Sequence, residues 1–434
     1  MMQTLVSQSS VAERTRRRVN RRLMPFLFLL FIVAYLDRAN VGMAGLGMSR
    51  ELGFSDAVFG FGSGIFFLGY FLLEIPGTVL VEIWSARKWI ARIMLTWGVL
   101  ASATGWIHSA QQFYWIRFFL GVAEAGFFPG LVVYLSHWYR AEDRGKAVAM
   151  FMAAIPSSLI LAGPLGGLLL RVHWLGYGGW RWLLMLEGLP AVVLGFVSLF
   201  YLTDRPQEAK WLPSDERDWL VAELEKEKAA RAGHTSGWKA LKNPQVLLLA
   251  LVLLLGLAPN YGLSLWLPQM VQRLSGFAVW QVGLIAAIPY VCSLPLMLLT
   301  GWHSDRTGER KWHTAIPRLL SGAALTVCFF ATNHIWVMIL MLSLATVGFY
   351  CAHPGFWPLP NLFLGKTAAA ASIGFINSFG NLGGFLGPYA IGLLRVNTGS
   401  FGAALLLLAG FAYASGILVL LVRTARRGSI GNAL

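Results

Sequence analysis

The sequence predicts an all-α membrane protein, with twelve transmembrane helices arranged as two pseudo-symmetric six-helix bundles. Three observations lead there. First, of 434 residues 56% are hydrophobic and 13% charged, with a mean hydropathy of +0.61. A soluble domain carries roughly a quarter charged residues, and single soluble cores stop growing near ~250–300 residues, so apolar sequence on this scale has to face lipid. Second, Lys and Arg lie in short runs at the ends of apolar segments. Third, the chain repeats itself at an interval of 223 to 225 residues.

The first 23 residues read as a cytoplasmic tail. Arg14, Arg16, Arg17, Arg18, Arg21 and Arg22 precede a long apolar run that continues through Asp37 and Arg38. No small-residue cleavage site follows a short apolar core, so the run is a first span and not a signal peptide. At ~20 residues per span, the first bundle (24–203) has spans at about 24–46, 57–81, 88–107, 111–138, 144–170 and 181–203. A polar segment, 204–244, links the halves. Ser214-Asp215-Glu216 there resembles a helix start, a hydroxyl cap with acids in the first turn, and a solvated linker helix is expected after it. The second bundle (245–422) has spans at about 245–272, 279–302, 312–331, 335–362, 367–394 and 400–422, and residues 423–434 read as a second cytoplasmic tail.

With the N-terminus inside, the cytoplasmic segments and adjoining helix ends, Arg318 counted among them, hold 28 of the 35 Lys and Arg. The outer side holds five: Arg50, Arg171, Arg181, Arg273 and Arg395. By the positive-inside rule this split predicts both termini in the cytoplasm, with the chain in a cell's inner (cytoplasmic) membrane. The net charge of +15 therefore reads as topology. A nucleic-acid partner would gather those residues on a soluble module. Cys292, Cys328 and Cys351 sit in apolar stretches without metal-ligand spacing and read as core residues.

The repeat is seen in three places. Thr78–Arg87 aligns with Gly301–Arg310, placing Glu82 on Asp305; Pro129-Gly130 aligns with Pro354-Gly355; and Gly163-Pro164 aligns with Gly387-Pro388. Duplicated helical halves enclosing a midplane site are a transporter plan.

Four stretches resemble a known family. Gly301 to Lys311 (GWHSDRTGERK) is similar to the loop signature of the major facilitator superfamily, with Thr78, Glu82, Ile83 and Ser85 as a degenerate first copy. Tyr35 to Asn40 (YLDRAN), Arg117 to Gly126 (RFFLGVAEAG) and Asn377 to Gly384 (NSFGNLGG) resemble its anion:cation symporter family. That family includes bacterial tartrate, phthalate and sugar-acid permeases, vesicular glutamate transporters and sialin. The resemblance covers essentially all twelve helices. It implies the major facilitator fold and proton-coupled import of a small organic carboxylate, or exchange or export of one on the same fold.

Charges inside the spans point to the same residues. An ionisable group at a helix centre costs about 2.5–3.5 kcal/mol on insertion scales, yet the first half carries Asp37, Arg38, Glu74, Arg117, Glu124 and Glu187. The second half is expected to have no Asp, Glu, Lys or Arg in mid-span. Asp37 and Arg38 are adjacent, so a helix turns them ~100° apart. Arg117 and Glu124 share a face but stand about 10.5 Å apart along the axis, too far to pair, so each should find a partner on another helix. Arginine stays charged and grips a carboxylate through two hydrogen bonds, while a desolvated carboxyl can load and release protons near neutral pH. Arg38 is therefore expected to bind a substrate carboxylate, with Asp37 and Glu124 as proton acceptors. The resemblance assigns Arg38 and Glu124 substrate and proton roles; the alternative is that the charges pair only to hold helices together. Glu74 and Glu187, nearer the helix ends and beside Pro76 and Pro190, read as structural.

Further cavity candidates, besides Arg117, are Tyr70, Asn260, Tyr261, Gln269, Trp357, Asn361, Asn377 and Asn381. The resemblance implies substrate contact for Tyr70, Trp357 and Asn377. Pro354-Gly355-Phe356 stands where sugar-acid members carry hydroxyl residues, which leans the reading toward tartrate-like or aromatic carboxylates. His353 reads as a packing residue. Asp305, Arg306 and Arg310 read as a cytoplasmic gating latch. No cofactor or metal is implied, because the eight histidines lack close metal spacing, and no nucleophile–base pair or nucleotide loop marks an enzyme. A receptor would append a signalling extension, and both tails are short. The expected partners are a small organic anion, protons and the bilayer, with the chain working as a monomer by analogy.

Overall fold

A computed structural model describes residues 2–231, 242–331, 334–364 and 366–423. Part of the expected linker (232–241) and most of the C-terminal tail (424–434) lie outside the described residues. Among them there are sixteen α-helices and no strand. The N-terminal tail is helical and continuous with the first span: α1 (Met2–Glu51) carries the arginine run and the apolar stretch on one rod. Then follow α2 (Asp56–Ile83), α3 (Ala86–Ala103), α4 (Ala110–Glu124), α5 (Phe127–Ser136), α6 (Ala141–Met152), α7 (Ala154–Leu169) and α8 (Gly179–Tyr201). The linker helix is α9 (Ser214–Arg231). The second half holds α10 (Pro244–Ser275), α11 (Val279–Thr307), α12 (Lys311–Phe330), α13 (Ile335–Phe356), α14 (Lys366–Asn381), α15 (Gly383–Thr398) and α16 (Gly402–Leu420).

The twelve expected spans become fifteen helices because three are broken, α4 from α5, α6 from α7 and α14 from α15, and the linker helix α9 is the sixteenth. Gly126 makes the sharpest break. Its φ of +81° is left-handed, a conformation open to glycine and strained for other residues. Ten described helical stretches, two of them the pairs α4–α5 and α6–α7, are long and apolar enough to cross a membrane. The third and eleventh expected spans are not among them, α3 because Arg87, Lys88 and Arg92 lie within its 18 residues.

The linker helix differs from expectation. One face of α9 is docked on the first half: Arg14 bonds Asp215 at 3.0 Å, Arg18 bonds Glu216 at 3.0 Å and Arg144 bonds Glu227 at 3.1 Å. Glu216 and Leu220 are buried beneath it.

Helices α1 to α8 pack on one another, as do α10 to α16, and the halves meet along α1–α10, α2–α15 and α7–α11. These contacts concentrate at the end of the bundle remote from the termini, called here the far end. Gly42 lies on Leu265, Gly60 on Pro388, and Gly163 backs onto Gly283 so closely that a Cβ on either would strike the other's carbonyl. Asp56 of α2 takes two bonds from Arg273 of α10, at 2.6 and 2.8 Å. At the near end α5, α6 and α9 pack on their own half. Overpacking costs about 1–3 kcal/mol, and at the Gly163 seam that cost falls on the closed far end alone. Gly163→Leu is therefore expected to open it, widening the separation between spin labels at Arg171 and Leu274. An unchanged distance distribution would show that the glycine seam does not control closure.

Candidate functional site

Within the apolar part of α1, Asp37 and Arg38 diverge as their helical angle requires. Arg38 leaves the first half's interior and meets Glu124, the last residue of α4 before the Gly126 break. Its Nε and Nη2 donate to one carboxylate oxygen, Oε1, at 2.8 and 2.5 Å. Glu124 is wholly buried, the Arg38 side chain is 11% exposed, and the other carboxylate oxygen, Oε2, has no hydrogen-bond partner. The third guanidinium nitrogen, Nη1, donates to the Tyr261 hydroxyl of α10 at 3.3 Å. Arg38 and Tyr261 are 223 residues apart, the repeat interval, so equivalent positions of the two halves touch near the molecule's pseudo-two-fold axis. Aromatic rings wall the guanidinium: Tyr35 and Tyr70 at 5.0 Å, Phe66 at 5.6 Å. Such contacts are each worth about 0.5–2 kcal/mol where water is excluded.

Asp37 turns inward and accepts the Trp97 indole N–H at 2.9 Å. Arg117 is also inside the first half, buried over the Phe66 ring at 4.9 Å, with Asp37 and Glu124 as its nearest opposite charges. Glu187, nine residues into α8, is buried beside Asp37 and Asn40. It therefore sits in the bundle's polar interior and not near a helix end as expected. Its distance from the ends of an apolar run was the sequence signal for that position.

Glu74 is likewise placed differently from expectation. It is buried in the seam between the halves, where Asn377 and Asn381 of α14 donate to its two oxygens at 2.5 and 3.3 Å. The asparagines expected to line a cavity thus clasp the opposite half, on the near-end side of Arg38. Removing a buried acceptor leaves donors unsatisfied at about 1–3 kcal/mol. Glu74→Ala is expected to speed amide hydrogen exchange in α14 roughly tenfold, whereas an unchanged rate would remove the clasp from the account.

The other expected residues separate. Asn260 lines a small cavity inside the second half. Gln269 is buried at the far-end seam, accepting from Arg273 at 3.3 Å. Trp357 follows α13, half-buried on Phe356. Asn361 is exposed near the near end, because Pro358 and Pro360 end the helix in a short 3-10 turn. His353 packs in place, its Nδ1 against the Phe349 carbonyl at 3.1 Å.

The loop cluster is local. Arg310 bonds Asp305 at 2.7 Å and the Ser304 hydroxyl at 2.9 Å, and Arg306 stacks over Trp302 at 5.5 Å. These contacts join α11 to α12 within one half. At the repeat position, Glu82 meets His137 at 3.1 Å and Arg205 at 3.9 Å.

Arg318 corrects the sequence reading of the second half. Counted there among cytoplasmic residues, it lies eight residues into α12 and is 2% exposed. Its position near one end of an apolar run hid it.

The sequence model of the Major Facilitator Superfamily matches residues 27–388. An Agrobacterium vitis protein named "Putative tartrate transporter" is 45% identical over 421 residues, 96% of each chain. An Acinetobacter baumannii "Quinolone resistance transporter" is 40% identical over 90% of each. Among solved structures, a D-xylose-proton symporter superposes with a TM-score of 0.73 at 14% identity, over 92% of this chain and 96% of that one. A bacterial homologue of the lysosomal transporter Spinster, inward-facing, superposes with a TM-score of 0.72 at 15% identity, over 92% of this chain and 94% of that one.

Proposed function

The chain belongs to the Major Facilitator Superfamily, and on that footing we propose that it imports a small organic carboxylate together with protons by alternating access. The observation that carries the reading is the Arg38–Glu124 pair on the pseudo-two-fold axis. Arg38 already holds a carboxylate, and that carboxylate is the protein's own. A substrate carboxylate competes for the same guanidinium fork, and a proton on Glu124 releases the fork to it. Oε2, buried without a partner, is the oxygen on which the proton is carried. Asp37, held by Trp97, supplies a second protonatable carboxyl within the same half.

The energetics favour this coupling. An anion entering a negative interior alone works against about 2.3 kcal/mol per charge per 100 mV. One proton cancels a monoanion's charge, and a second makes entry favourable by about the same amount. The relative's name makes tartrate the first candidate, with phthalate-like and sugar-acid-like anions beside it. Both termini are assigned to the cytoplasm of an inner membrane, with residues 24–203 and 245–422 as the moving halves of a monomer.

The test is uptake of labelled tartrate, phthalate and galactonate into proteoliposomes under an inward proton gradient. Accumulation above equilibrium that collapses with a protonophore supports the reading. The second reading, organic-anion exchange or export, is favoured by the resistance transporter among the relatives. It is the outcome if uptake occurs only against preloaded anion or if efflux runs down the proton gradient.

A further inference from the structure

Arg318 is a buried charge that the coupling mechanism does not use. It is 2% exposed, and its Nε and Nη2 have no hydrogen-bond partner among the described residues. The other deeply buried arginines of the spans differ: Arg38 has Glu124, Arg181 has Glu51 at 3.1 Å, and Arg117 has Asp37 and Glu124 within its field. Among the described residues no carboxylate pairs with Arg318. Helices α10, α12, α13 and α16 contain no Asp or Glu at all. Arginine does not discharge itself by losing its proton. The rings of Phe349 and Phe356, 5.9 and 5.8 Å from the guanidinium carbon, recover only part of what desolvating a cation costs.

The guanidinium borders a cavity lined also by Gly256, Asn260, Ser321, Thr346 and Phe349. About 10 Å³ of it is open to the centre of a water-sized sphere, room for one small guest. Gly256 is part of the construction, because a Cβ there would occupy the place of Arg318 Nη1. The Thr346 hydroxyl is committed to the Leu342 carbonyl at 2.9 Å, which leaves the Ser321 hydroxyl and the Asn260 side-chain amide, which also bonds Tyr350, as donors beside the arginine.

We propose that this cavity is a binding site for a monatomic anion of halide size, held by the Arg318 guanidinium with Ser321 and Asn260 donating. The four surrounding helices supply no counter-charge, so a ligand has to, and water does not neutralise a cation. The volume selects against a carboxylate or phosphate, which brings several oxygens and their substituents. The site is separate from the Arg38 fork and stands whether or not the transported species is an organic anion.

The experiment is thermal unfolding of the purified full-length protein in sodium methanesulfonate, exchanged stepwise for sodium bromide or chloride at constant pH and ionic strength. The wild type is expected to show a saturable rise in midpoint. Arg318→Gln is expected to lose that rise, and Arg38→Gln to keep it. Ser321→Ala retains the guanidinium, so it keeps the test decisive if Arg318→Gln fails to fold; its titration is expected to shift roughly fivefold, the weight of one hydrogen bond. Crystals soaked in bromide should show an anomalous peak against Arg318. The proposal is overturned by a wild type indifferent to halide, by a response unchanged in both Arg318→Gln and Ser321→Ala, or by a response lost in Arg38→Gln. Equal stabilisation by sulfate would overturn the size assignment.

Discussion

Arg38→Ala is expected to abolish carboxylate binding, lowering apparent affinity at least a hundredfold. A buried charge pair cut on one side costs about 2–5 kcal/mol, and each 1.4 kcal/mol is a factor of ten. The same substitution strands Glu124, which is wholly buried. At neutral pH the variant should therefore also lose about 3–5 kcal/mol of stability, part of which returns in acid as Glu124 takes up a proton. Arg38→Lys separates the two effects. A lysine keeps the charge and protects the fold, but it lacks the planar fork that grips a carboxylate through two bonds. Binding by calorimetry and unfolding by heat, measured on both variants, check this. Substrate binding at wild-type strength in Arg38→Ala would sink the proposed site.

Glu124→Gln is expected to uncouple transport without destroying the site. In the wild type, raising the pH ionises Glu124, and the carboxylate then competes with substrate for Arg38, so affinity should fall as pH rises. Glutamine is close in shape and never carries the negative charge. The variant should bind substrate with little dependence on pH, exchange it across the membrane, and fail to accumulate it under a proton gradient. Counterflow and gradient-driven uptake in the same proteoliposomes read the two activities separately. Gradient-driven accumulation surviving in Glu124→Gln would move the coupling proton elsewhere, with Asp37 and Glu187 next in line because they lie side by side in the first half.

Much of the site's membership could be read from charges that have no business in lipid. Arg38, Glu124, Tyr70 and Tyr261 were singled out from the sequence, and they lie in one group because four helices, α1, α2, α4 and α10, converge there. What could not be read was who holds whom. Arg117 was expected at the substrate and lies inside its own half. Asn377 and Asn381 were expected in a cavity and hold Glu74, an acid taken for structural. Asn361 was expected in the cavity and is exposed, in the short 3-10 turn that closes its span at Pro358 and Pro360. In each case a side chain's surroundings depend on helices far away in the chain.

By itself the sequence determined the membrane class, the helical spans, the duplicated halves and the confinement of mid-span acids to the first of them. Those properties are local: hydropathy acts over some twenty residues, topology follows the charge at each span's ends, and a repeat is visible in one dimension. Only the tertiary structure decided the pairings. Arg38 and Glu124 are 86 residues apart, Glu74 and Asn377 are 303 apart, and Arg318 is buried by helices that offer it no acid. A helix turns each side chain by ~100° per residue, and which face meets which neighbour is set by how the halves pack, so partners in the membrane interior exist only once the bundle is assembled.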